Sequence, residues 1–131
     1  MINYYTHGTQ VTASHGHLAF FGAYAMIVLA MASYAVPNIR KRTGIITHQK
    51  TEILAFWIMV VSMLLIAFSL TGAGIVQTYL QRVLAIGYME TQSYMTLFYA
   101  LRLIFGATFT VGLVIYLYDF FVPGRAGAVG R

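Results

Sequence analysis

His15 and His17 are the residues of this chain whose type and spacing could do chemistry. Successive residues of a helix turn by about 100°, so positions i and i+2 point about 200° apart. The two imidazoles therefore leave opposite faces of one helix. They cannot readily share a metal ion, but each can serve a separate centre, with the helix as the wall between them. Imidazole is a common axial ligand of haem iron, and Gly16 between the two leaves room on its face. Zinc fits less well, because no third or fourth ligand is in view and the faces diverge. The plain alternative is two histidines that hydrogen-bond to neighbouring helices or to water.

The elements that must position these side chains are membrane helices. Of the 131 residues, 60% are hydrophobic and only 8% are charged, whereas a soluble domain carries about 25% charged residues. The chain is also too apolar to be disordered. No Asp, Glu, Lys or Arg occurs from Met1 to Ile39, from Ile53 to Gln81 or from Leu103 to Tyr118. A membrane span needs roughly 20 mostly apolar helical residues. The sequence thus predicts an all-α integral membrane protein, a single membrane segment over residues 1–131. Its three transmembrane helices are expected at about Val11–Val36, Ile53–Tyr79 and Tyr94–Val122. Both histidines fall in the outer half of the first span, where an ionisable side chain is costly and by default marks function.

Local signals bound these spans. Pro37 is expected to end the first one, and Asn38–Lys50 reads as a basic turn broken at Gly44. The second span should weaken around Thr71-Gly72-Ala73-Gly74, turns should fall at Gly87 and at Thr91-Gln92-Ser93, and the third span should end near Asp119 and Pro123. Tyr79, Tyr88, Tyr94 and Tyr99 read as an outer aromatic belt, with Tyr34, Tyr116 and Tyr118 as the inner one. Ala19, Gly22, Ala23, Gly72, Gly74, Gly106 and Gly112 read as points of close helix contact.

The net charge of +5 reflects topology rather than nucleic-acid binding. Arg40, Lys41, Arg42 and Lys50 lie in the first connection and Arg125 and Arg131 in the tail, which fall on one side of three alternating helices. The positive-inside rule places that side in the cytoplasm and the N-terminus outside. The chain has no cysteine, so disulfides, thiolate-ligated clusters and covalently attached c-type haem are excluded. With no basic segment before the first apolar run, a cleavable signal peptide is not expected. His7, Arg82 and Arg102 each carry two readings: an interfacial side chain, snorkelling in the case of the arginines, or a donor to an acidic group such as a haem propionate. His48 is given no role, and Glu52, Glu90 and Asp119 sit at helix ends, where capping suffices.

The run from His7 to Tyr24, His-Gly-Thr-Gln-Val-Thr-Ala-Ser-His-Gly-His-Leu-Ala-Phe-Phe-Gly-Ala-Tyr, resembles the tenth transmembrane helix of the haem–copper oxidase superfamily, whose hallmark is His-x-His. Its wording resembles the cytochrome b catalytic subunits of bacterial nitric oxide reductases of the cytochrome-c-dependent type, and the likeness extends over both later spans. The resemblance implies the last three helices of a twelve-helix bundle in the bacterial inner membrane, with the N-terminus on the periplasmic side. It implies that His15 is the proximal ligand of the high-spin haem b3, where nitric oxide is reduced, and that His17 is an axial ligand of the low-spin haem b. His7 and Arg82 would lie near haem propionates. The implied reaction joins two nitric oxide molecules, two electrons and two protons into nitrous oxide and water.

The implied partners are the remaining N-terminal helices of the same subunit, the cytochrome c subunit, the lipid bilayer and nitric oxide itself, with no nucleic acid. The ligands of the family's non-haem iron and the second ligand of the low-spin haem would lie on the earlier helices, so these residues alone are expected to be inactive. One departure is Gly8, which stands where oxidases often carry an acidic residue. Three other readings remain: a non-catalytic three-helix structural or transport subunit, a small cytochrome b that completes its ligation by dimerising, and a fragment of the haem-carrying subunit of a terminal oxidase.

Overall fold

The computed structural model describes residues 2–43 and 49–121. A short helix α1 (Ile2–Thr6) turns through His7 and Gly8 into α2 (Gln10–His17). A π-helical segment, Leu18–Ala25, carries the chain into α3 (Met26–Thr43), so these pieces form one long rod. The second rod is α4 (Gln49–Thr78), extended by a π-helical turn at Tyr79–Val83. After the short α5 (Tyr88–Ser93) comes the third, α6 (Thr96–Phe121). Among the described residues there is no strand. Three stretches are long and apolar enough to cross a membrane: Gln10–Ala35, Lys50–Val83 and Thr96–Tyr118. In lipid such helices satisfy every backbone polar group internally.

The central rod is α4. Ala55, Met59, Met63, Ile66, Leu70 and Ala73 recur at three- and four-residue steps along one buried stripe, the spacing of a single helical face. On one side Gly112 of α6 packs so tightly that an added Cβ would stand 2.9 Å from both Ile58 and Met59. Toward the Gln10 end a Cβ on Gly74 would strike the backbone nitrogen of Val11, and one on Gly72 would meet the ring of Phe98 at 3.0 Å. Small residues let membrane helices approach where no hydrophobic drive exists between them. Gly106, by contrast, faces open space, so it does not mark a close contact within this chain.

The first rod and α6 run side by side in nearly constant register. Gln10 Nε2 donates to the Tyr99 hydroxyl (3.2 Å), Phe21 meets Phe109 edge-on with ring centroids 6.3 Å apart, and the Tyr116 hydroxyl donates to the Leu29 carbonyl (3.1 Å) and contacts Ser33 Oγ (3.0 Å). Two tyrosines expected in the aromatic belts, Tyr99 and Tyr116, are thus internal hydrogen-bonding groups. Tyr34, Tyr79, Tyr88, Tyr94 and Tyr118 are exposed.

Three boundaries differ from the sequence reading. The first rod does not end at Pro37 but continues to Thr43. Proline costs the helix one hydrogen bond, to the carbonyl four residues earlier; that carbonyl, on Ser33, lies at the end of the apolar stretch, where water can replace the lost donor. Helix α4 runs unbroken through Thr71–Gly74, because its glycines serve packing rather than bending. Thr91–Ser93 closes α5, and the turn before α6 falls at Tyr94-Met95 instead. The turn expected at Gly44, with His48, and the tail from Pro123 lie outside the described residues.

Candidate functional site

Ser14 fixes the orientation of the histidine pair. Its hydroxyl donates to the Ala67 carbonyl of α4 (3.0 Å) and lies 2.9 Å from the Thr71 hydroxyl, and the side chain is 3% exposed. With Ser14 aimed at α4, the 100° helical step sends His15 to one side and brings His17 back within about 60° on the other. Accordingly His15 is exposed, whereas His17 is half-buried. The two imidazoles serve different faces of the rod.

His17 stands on an open groove between the first rod and α6, with Met63 and Ile66 of α4 as its floor. Phe21, Arg102, Gly106 and Phe109 line the same groove. The ring of His17 is held by its Nδ1, 2.8 Å from the Ala13 carbonyl one turn back. A carbonyl can only accept, so Nδ1 carries the proton, and the neutral ring then keeps a lone pair on Nε2 for a metal. A ring tied through one nitrogen to a backbone carbonyl, with the other free, is the usual support of a metal-bound histidine. The open space over Gly106, and over Gly16 between the histidines, leaves room for a broad planar group on each face.

The donor set suits an iron macrocycle better than a bare cation. Among the described residues no three His, Cys, Asp or Glu side chains gather as a metal cluster. A macrocycle supplies four ligands of its own and asks the protein for one axial imidazole per face. His15 and His17 each offer one.

Above the groove lies a polar collar that the sequence reading did not single out. Gln77, 2% exposed, accepts from the Gln10 backbone N–H (3.0 Å), and the Tyr99 hydroxyl donates to Gln92 Oε1 (2.6 Å). It joins α2, α4, α5 and α6 at one end of the bundle. The available signal was the run of polar side chains, Gln10, Ser14, Thr71 and Gln77, set in otherwise apolar spans.

Two further candidates, His7 and Arg82, are both exposed and lie outside this groove. His7 occupies the corner before α2, beside Gly8 at φ +75°. That left-handed backbone is open to glycine and strained for most other residues. Arg82 sits on the π-helical end of the second rod. Arg102, whose default reading was snorkelling, is the arginine that lines the groove.

Residues 1–108 match the family described as Cytochrome C and Quinol oxidase polypeptide I. This chain belongs to that family. It is a membrane-embedded member, and 98% of it aligns at 48% identity with a nitric oxide reductase subunit of Stutzerimonas stutzeri. The chain spans 28% of the length of that relative.

Proposed function

We propose that the chain is the haem-holding C-terminal part of the catalytic subunit of a cytochrome-c-dependent nitric oxide reductase. The observation that carries this reading is the His15/His17 arrangement. Ser14 pins the helix, His17 turns a supported ring into a groove, and His15 presents its ring on the other side.

His17 would hold the low-spin haem b and His15 the haem b3. The haems would supply electron transfer and the iron at which two nitric oxide molecules, two electrons and two protons become nitrous oxide and water. This chain's residues hold and orient. The Ala13 carbonyl fixes the tautomer of His17, and Phe21 and Phe109 keep the groove apolar and close the span between its two ends. His7 and Arg82 would donate to haem propionates brought by the assembled subunit. The N-terminus faces the periplasm in the bacterial inner membrane, and the remaining helices and a cytochrome c subunit complete the assembly.

The test is a reduced-minus-oxidised spectrum of the complete subunit and two variants. His17→Ala should remove the low-spin haem b bands, and His15→Ala the high-spin, carbon-monoxide-binding signal. If both variants keep wild-type spectra, the histidines only hydrogen-bond and the structural-subunit reading holds. A terminal oxidase shares the His-x-His logic. It is disfavoured by the 48% identity to a nitric oxide reductase subunit, and nitrous oxide production with nitric oxide as sole acceptor separates the two.

A further inference from the structure

Arg102 is a cation placed inside a membrane span, opening on the groove that His17 faces. A charged side chain there is costly without a partner. The acidic residues of the chain stand elsewhere. Glu52 lines a different groove, with Ser33 and Tyr116 toward the other end of the rods. Glu90 is exposed in α5, and Asp119 lies near the far end of α6. Among the described residues no carboxylate lines the groove with Arg102, so its anion has to come with whatever covers that groove.

The register between the rods fixes its height. Gln10 meets Tyr99 and Phe21 meets Phe109, so the level of His17 on α6 falls at about Phe105-Gly106. Arg102 stands one turn farther toward the outer end, about 5.4 Å along the axis. Gly106, with nothing within 4 Å of a Cβ built there, leaves the gap between the two side chains open. An imidazole with a free Nε2, an open gap and a guanidinium one turn outward make a two-point clamp.

We propose that Arg102 binds a carboxylate side group of the iron macrocycle whose iron His17 holds. The guanidinium suits this task, since its planar fork matches a carboxylate bidentately. Bound there, it fixes the rotation of the macrocycle about the His17–iron axis. It also places a positive charge beside the iron, which favours the reduced, less positive state. This rests on the proposed role of His17.

The experiment uses the complete subunit with Arg102→Gln and Arg102→Lys, loaded with haem carrying ¹³C-labelled propionates. Potentiometric titration should give a lower low-spin haem midpoint in Arg102→Gln and a near wild-type value in Arg102→Lys. The isotope-sensitive carboxylate band of the redox-difference infrared spectrum should move in Arg102→Gln. Haem b bands with unchanged midpoint and unmoved band would overturn the proposal and leave the His17 reading standing; that is the outcome for a snorkelling arginine. A lower midpoint with an unmoved labelled band would also overturn it, assigning the anion to a protein carboxylate. If Arg102→Gln retains no haem, Arg102→Lys decides: haem at near wild-type potential supports the clamp, and no haem overturns it. A wild-type subunit without haem would defeat the reading of His17 first.

Discussion

The Ser14 hydroxyl and the Ala67 carbonyl, 3.0 Å apart, lock the helix of the histidine pair to the central rod. Because His15 follows Ser14 directly and His17 lies less than one turn beyond it, that bond and its neighbour at Thr71 set the direction of both rings.

Replacing Ser14 by Ala should therefore loosen the pair without removing either imidazole. Interhelical hydrogen bonds in membranes average about 0.6 kcal/mol, so losing both contacts should cost about 1 kcal/mol. Reversible unfolding of the complete subunit in detergent would measure this. Haem should still bind, with broadened low-spin lines in electron paramagnetic resonance as the sign of a less uniform His17 ring.

Glycines in the same bundle should respond oppositely. Gly74→Ala forces a methyl group into the Val11 backbone, and overpacking of this kind costs typically 1–3 kcal/mol. Gly106→Ala meets nothing in this chain and should leave unfolding of the isolated 131 residues unchanged. In the complete subunit the same methyl group narrows the His17 groove, and the low-spin haem b bands should shift.

At the corner before α2, Gly8→Val should be destabilising. A branched residue held at φ +75° carries roughly 1–3 kcal/mol of strain. Gly8→Asn should be milder, since Asn is several-fold enriched at such angles. Comparing the thermal midpoints of the two variants checks the sign and order of these effects.

The 131 residues alone should show no nitric oxide consumption at a nitric oxide electrode with reduced donor present, while on the proposed function the complete subunit with its partners should consume it. One axial imidazole per face holds a haem on one side only, and the described residues gather no cluster for a second metal. Turnover by the isolated chain would overturn that expectation.

Much of the fold was legible because lipid imposes a coarse rule. Three charge-poor runs had to be helices, and three helices long and apolar enough to cross a membrane cover them. His15 and His17 diverge as a two-residue step requires. Harder to read was everything decided between helices. Nothing local distinguishes Tyr116, buried and bonded to Leu29, from exposed Tyr118 two residues on. Gly74 and Gly106 look alike in sequence, yet one touches backbone and the other faces empty space. Arg102 and Arg82 shared one pair of readings until the register of α6 against the first rod placed only Arg102 beside His17. Pro37 misled because its effect depends on whether water reaches the freed carbonyl, a property of depth rather than of local sequence.

The π-helical segment Leu18–Ala25 begins immediately after His17. Its wider turn stores additional chain within the same rod, as single-residue insertions into helices do. Deleting one residue there would let the helix relax to ordinary winding with its two ends near the same phase, whereas a deletion from the α-helical part of the rod would turn one end against the other by about 100°. Ser14 would then miss Ala67 whenever Ser33 still met Tyr116. The rod can therefore give up a residue within Leu18–Ala25, while the α-helical stretches on either side must keep their length.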